Sequence, residues 1–130
     1  ERHAMEINIP EVQAEVTEAF WQYDRALLEN DIDTVINLFW DSPHTLRYSP
    51  GELLYGIQEI KDFRQTQRGS PLLREVTKLV VITFGRDYGT ANCETRRTDT
   101  GAPGRQSHSW VRLPEGWRIV AAQVSVPLKS

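Results

Sequence analysis

Val12, Val16, Phe20, Tyr23 and Leu27 recur at intervals of three and four residues. That spacing predicts an amphipathic helix over about 11–29 with one buried face. Pro10 fits its first turn, where a missing N–H has no intrahelical partner to lose. Asn30 suits the residue that leaves the helix, and Asp31 suits the cap of the next one. In that shorter second helix Ile32, Val35, Ile36 and Phe39 form the buried stripe, and Asp41-Ser42-Pro43 ends it. His44 to Tyr48 alternates like a short strand, Ser49-Pro50-Gly51 turns the chain, and Leu53-Leu54-Tyr55 pairs briefly. A third helix is predicted over about 57–67, with Ile57, Ile60 and Phe63 inward. Arg64, one turn after Ile60, falls at the inner edge of the same face.

The second half changes period. Four strand-like runs, at about 74–84, 90–97, 105–113 and 117–126, are separated by short glycine-containing connections. Such connections join antiparallel neighbours rather than crossovers. Helices first and a strand meander afterwards is the α+β pattern: three N-terminal helices on one face of a mostly antiparallel sheet. Residues 1–9 read as a flexible tail and 10–130 as a single domain, the common size for one core.

Composition narrows the function classes. Hydrophobic residues are 39% and charged residues 25%, ordinary globular usage. A net charge of −3 provides no general attraction for nucleic acid. Arg96, Arg97, Arg105 and Arg112 are read as a solvated sheet face or a subunit contact. No apolar run is long enough for a membrane span and no secretory pattern is visible, so the cytoplasm is the expected location. The single cysteine, Cys93, forbids an intrachain disulfide and reads as a small buried thiol.

Familiar catalytic signatures are missing: no phosphate-binding GxxxxGK[ST], no GxGxxG, no GxSxG. The histidines at 3, 44 and 108 lack metal-ligand spacing, so neither a metal nor another cofactor is expected. His108 reads as a hydrogen-bonded sheet residue, and Asp31 and Asp33 as helix-start residues. Three features stand out. Tyr23 lies on an apolar helix face, where a buried phenol needs a partner. Arg47, between Leu46 and Tyr48, is either on the solvent face or turned inward to receive an anion. Gln123 and Ser125 share strand parity with Ile119 and Ala121, which suits the floor of a ligand pocket or a polar dimer face.

The segments Tyr23-Asp24-Arg25-Ala26-Leu27-Leu28-Glu29-Asn30-Asp31, Leu38-Phe39-Trp40-Asp41-Ser42-Pro43 and Arg47-Tyr48 resemble the AtzH-like (HpxZ-like) family. So do Leu54-Tyr55-Gly56, Phe63-Arg64, Gly104-Arg105-Gln106-Ser107 and the run from Gly116 to Ala122. The resemblance extends from about Pro10 to Pro127. It implies a nuclear transport factor 2-like (SnoaL-like) fold, a cone in which three helices close over a strongly bent sheet. It also implies a role in bacterial nitrogen catabolism, in association with an amidase. Within the family the chain looks closest to the decarboxylating amidohydrolase of cyanuric acid breakdown, an atrazine-degradation enzyme that converts 1,3-dicarboxyurea into allophanate (urea-1-carboxylate). By motif, the family's catalytic tyrosine and arginine fall on Tyr23 and Arg47. One departure is that members often carry histidine in the last strand where Gln123 stands.

The activity so implied needs a small anionic substrate held by Arg47 through two parallel N–H···O bonds, with Tyr23 delivering a proton to nitrogen. Trp40, Tyr48, Arg64, Gln123 and Ser125 complete the expected substrate-binding set. Two other readings remain open. One is a different reaction in the same cone, such as an isomerase or dehydratase. The other is a non-catalytic accessory subunit that meets an amidase through a sheet face carrying Arg96, Arg97 and Trp110. A homodimer or homotetramer is expected in every case, because a bent sheet leaves one broad side to cover.

Overall fold

The computed structural model describes residues 5–70 and 72–128. Helix α1 spans Pro10–Leu28, α2 Ile32–Asn37 and α3 Gly56–Gln65. The strands are β1 Leu46–Tyr48, β2 Leu53–Tyr55, β3 Arg74–Phe84, β4 Tyr88–Arg97, β5 Pro103–Leu113 and β6 Gly116–Ser125. Local chemistry sets several boundaries as the sequence predicts. Pro10 opens α1, Asn30 takes a left-handed φ of 56° after it, and the Asp31 carboxylate accepts from the Thr34 N–H to cap α2.

All six strands form one sheet in the order β2-β1-β6-β5-β4-β3. Every neighbouring pair is antiparallel except β1 with β6, which is parallel. β1, which precedes the meander in sequence, lies beside the meander's last strand, and this pairing is parallel. It brings Arg47 level with Ala122.

The helices cover the inner face. Val16, Phe20 and Tyr23 of α1 pack with Val35, Phe39 and Ile60 against Val81, Ala91, Trp110, Ile119 and Ala122. Gly89 allows the close approach of α1. A Cβ there would stand 2.8 Å from Thr83 Cγ2 and 3.2 Å from both the Ile82 carbonyl oxygen and Val16 Cγ2.

Three expectations change here. Residues 6–9 are not a free tail: Gly85 N–H donates to the Glu6 carbonyl at 2.8 Å, and Thr83 N–H donates to the Asn8 side chain at 2.9 Å. Residues 1–4 lie outside the described part. In β6, Ser109 faces Ala121 while Trp110 faces Ile119, so Val120 is an unpaired bulge residue. One extra residue reverses parity beyond it. Ile119, Ala122 and Val124 therefore take the inner registers, whereas Gln123 and Ser125 take the outer ones. Trp110, expected on an exposed face, is 0% exposed, because it shares inner parity with Gln106 and His108 on β5.

Gly89→Ala should cost about 1–3 kcal/mol through overpacking. Urea unfolding followed by circular dichroism measures this, and an unchanged midpoint would contradict the tight α1–sheet contact.

Candidate functional site

One register row crosses the inner face: Leu54, Arg47, Ala122, His108, Ala91 and Val81 are successive cross-strand partners. Ala122 is the small member between Arg47 and His108, so two large polar side chains stand over a short one. Tyr23 of α1 closes on this row from above. Its ring lies edge-on to His108, with centroids 5.0 Å apart, and to Phe39 at 5.9 Å.

Arg64 of α3 completes the cluster. Its Nη2 donates to Tyr23 Oη at 3.0 Å. A guanidinium has no acceptor, so in this bond the phenol oxygen receives and its own proton stays free for another partner. Arg47 and Arg64 both face the Phe63 ring, with Cζ 5.0 Å and 5.5 Å from its centroid. Each arginine is only 8% exposed, and Tyr23 is 2% exposed.

Buried guanidiniums ordinarily take carboxylate partners. Among the described residues neither Arg47 nor Arg64 forms an ion pair. Arg47 Nη1 and Arg64 Nε are buried without any hydrogen-bond acceptor. Burial, then the like charge of Arg64, pushes the Arg47 pKa down, while Tyr23 and Glu52 oppose that shift. The pair is thus a buried cationic cluster with unused N–H donors.

A second polar group lies beside it. Arg74 Nη1 and Asp24 Oδ1 form a buried ion pair at 2.7 Å, which the sequence reading did not anticipate. His108 has no partner at Nδ1, contrary to the expected hydrogen-bonded sheet histidine. Burial chiefly, and then Arg47, Arg74 and Arg64, lower its pKa to about 3. It is a neutral imidazole at physiological pH.

The other expected site residues are elsewhere. Tyr48 donates to or accepts from Tyr55 across a 3.1 Å hydroxyl contact. With Gln123, Ser107 and Ser109 it lines a shallow outer groove of about 190 Å³. Ser125 Oγ accepts from Arg105 Nε at 3.0 Å, on that same outer side. Trp40 stacks on His44 at 6.1 Å. Of the seven residues expected, the structure brings Tyr23, Arg47 and Arg64 together inside. Of the exposed arginines, Arg97 pairs with Asp99 and Arg112 with Glu15 and Asp87.

The sequence profile of the AtzH-like family matches residues 5–129. The chain belongs to the AtzH-like family. Two solved structures are similar over nearly their whole length. One, from Pectobacterium atrosepticum, is a DUF3225-family protein of unknown function, 44% identical, covering 94% of this chain and 95% of that one at a TM-score of 0.89. The other is a cystatin-like fold protein from Burkholderia xenovorans, 41% identical, covering 98% and 100% at 0.88. A nuclear transport factor 2-like superfamily protein from Salmonella enterica is 26% identical over 92% and 94% at 0.76. Among curated proteins none matches. The AtzH-like chain therefore has the nuclear transport factor 2-like fold that the resemblance implied.

His108 gives this AtzH-like fold a pH signature. An unfolded histidine protonates near pH 6.5, the folded one only near 3. Between those values the unfolded state binds the extra proton, so stability falls with acidification by up to about 1.4 kcal/mol per pH unit. Unfolding free energies from pH 7 to 4.5 should drop more steeply for wild type than for His108→Gln. Parallel curves would rule out a neutral buried imidazole.

Proposed function

We propose that the interior site binds a small N-carboxylated urea and removes one carboxyl group, converting 1,3-dicarboxyurea into allophanate in cyanuric acid and related nitrogen catabolism. The observation that carries this reading is the pair of buried guanidiniums without carboxylate partners, each with an unused N–H donor, beside a buried phenol whose proton is free. Family membership favours the same activity.

In the proposed reaction the bond between the departing carboxylate carbon and the urea nitrogen breaks. Its electrons stay on nitrogen, carbon dioxide leaves, and nitrogen takes a proton. The dianion plus one proton gives the allophanate monoanion and carbon dioxide. Arg47 engages the carboxylate and remains beside the negative charge as it moves onto the urea unit. Tyr23 gives its proton to nitrogen, and Arg64, already donating to Tyr23 Oη, stabilises the phenolate left behind until solvent restores the proton. His108 does not serve as the acid, since it carries no proton to give beyond its neutral complement at working pH.

This assignment needs no metal ion, and among the described residues no group of three or more histidine, cysteine or acidic side chains is placed to hold one. Association with an amidase, and assembly as a homodimer or homotetramer, belong to the same proposal. The accessory-subunit reading loses its aromatic contact, because Trp110 is buried.

The test is allophanate release from freshly generated 1,3-dicarboxyurea, corrected for spontaneous loss. Wild type should exceed background. Tyr23→Phe should lower the rate about 10²- to 10⁴-fold, the range for a lost general acid. Arg47→Ala should reduce both turnover and apparent affinity. No wild-type rate above background, with both variants folded, would refute the assignment.

A further inference from the structure

Phe63 and Arg64 are neighbours near the C-terminal end of α3. Helical spacing puts Phe63 on the inner face with Ile57 and Ile60, yet its ring does not join the apolar core. The half-buried side chains packed on the core cluster include Leu54, Ile57 and Trp117 but not Phe63. Among the described residues it pairs with no other aromatic ring. What faces the ring instead is charge. The guanidinium carbon of Arg47, from β1, stands 5.0 Å from its centroid, and that of Arg64 stands 5.5 Å away. Both distances are within the reach of a cation–π attraction, about 6 Å. One half-buried ring is thus shared by two cations that are each almost fully buried.

Two like charges beside one centroid repel each other. Burial first, and then Arg64, lower the Arg47 pKa. The chain offers the pair no carboxylate, so what holds them side by side is of another kind. A carboxylate does so by accepting N–H bonds, and a bidentate pair takes two donors at once. An aromatic face attracts through its quadrupole and has no lone pair with which to take a donor. The difference is visible here: Arg47 Nη1 and Arg64 Nε are buried and still have no acceptor. The ring offsets part of the buried charge and keeps those donors for a ligand. A leucine would fill much of the same space and offer no negative face.

We infer that Phe63 is a positioning residue for the anion site: its ring holds the Arg47 and Arg64 guanidiniums side by side as a substitute counter-charge and leaves their N–H donors for the ligand. The inference rests on the proposed function for the anionic character of that ligand. Phe63 acts through the arginines and not on the reacting atoms, so loss of its face weakens anion binding first. Proton transfer from Tyr23 keeps its own support, the 3.0 Å bond from Arg64 Nη2. Because Phe63 and Arg64 share α3 while Arg47 comes from β1, the ring also ties together the two elements that carry the cations.

The test reads binding of an unreactive dicarboxylate, glutarate, by calorimetric titration of the full chain, beside dicarboxyurea turnover. Phe63→Leu keeps an apolar side chain and loses the face. It should bind glutarate at least about tenfold more weakly than wild type, a difference of about 1.4 kcal/mol. Phe63→Tyr keeps the face and should stay within about threefold of wild type. In turnover, Phe63→Leu should raise KM by a larger factor than it lowers kcat. A ring that merely fills space matters equally whatever stands beside it, so the comparison is repeated in an Arg47→Gln background. There Phe63→Leu should have clearly less effect than in wild type. Circular dichroism checks the fold of each variant. Should Phe63→Leu not fold, difluorophenylalanine at that position keeps the shape while thinning the negative face, and should weaken glutarate in the same direction. Unchanged affinity in Phe63→Leu or the fluorinated chain, an equal loss in Phe63→Tyr, or an undiminished effect beside Arg47→Gln would overturn the inference. So would failure of wild type to bind glutarate. Face-dependent glutarate binding without dicarboxyurea turnover would sustain the role of Phe63 and refute the reaction. Turnover with no dependence on the face would do the reverse.

Discussion

The interior of this protein is organised around positive charge that the chain does not neutralise. Arg47 and Arg64 are buried against one Phe63 ring with no carboxylate partner. A folded core ordinarily avoids this arrangement, because an unpaired buried ion loses its hydration and gains nothing in return. Here the cost is limited by aromatic faces, by the phenol oxygen of Tyr23 as acceptor, and by the Asp24–Arg74 pair nearby. The nearby histidine adjusts in turn, staying neutral because another cation in that surround would be unfavourable. The interior is left with positive charge that the chain does not compensate, and that excess is the basis of the proposed anion binding.

Backbone geometry delivers these groups. The parallel docking of β1 beside β6 puts Arg47 over Ala122, and the antiparallel meander puts His108 on the other side of that alanine. A larger residue at 122 would fill the interval between them. The bulge at Val120 then decides which side chains of β6 look inward. Without it Gln123 and Ser125 would point into the cone and Ala122 would not. A single unpaired residue therefore exchanges a polar floor for a small apolar one, beneath the guanidiniums.

Much of the fold was legible from periodicity alone. Among the described residues nine elements follow from helical spacing in the first half and alternation in the second, and Pro10, Asn30 and Asp31 mark ends by their own conformational chemistry. The burial of Tyr23 and Arg64 also followed from helix faces, since side chains three and four apart share one surface. What escaped was whatever depends on register. Strand parity is exact only while pairing is regular, so the bulge in β6 carried Gln123 and Ser125 to the wrong face of the expectation. Tyr48 shared that outer parity and went the same way. His108 could have been recognised from its alternation with Gln106 and Trp110, three even positions on one face, but nothing local says which face is inner. The Asp24–Arg74 pair joins residues fifty positions apart, and only the assembled cone brings them together.

In the proposed reaction the sign of the field bears on which side chain transfers the proton. Histidine acts as an acid only after becoming a cation, and three guanidiniums oppose that step along with desolvation. A phenol works in the opposite charge sense: it is neutral while holding its proton and negative after giving it up. In the proposed reaction Arg64, 3.0 Å from Tyr23 Oη, already stands where that charge would develop. A cone with the same backbone and a carboxylate in place of one arginine would reverse this preference, and with it the chemistry. The fold leaves that choice open, and in the proposed reading the guanidiniums without carboxylate partners make it.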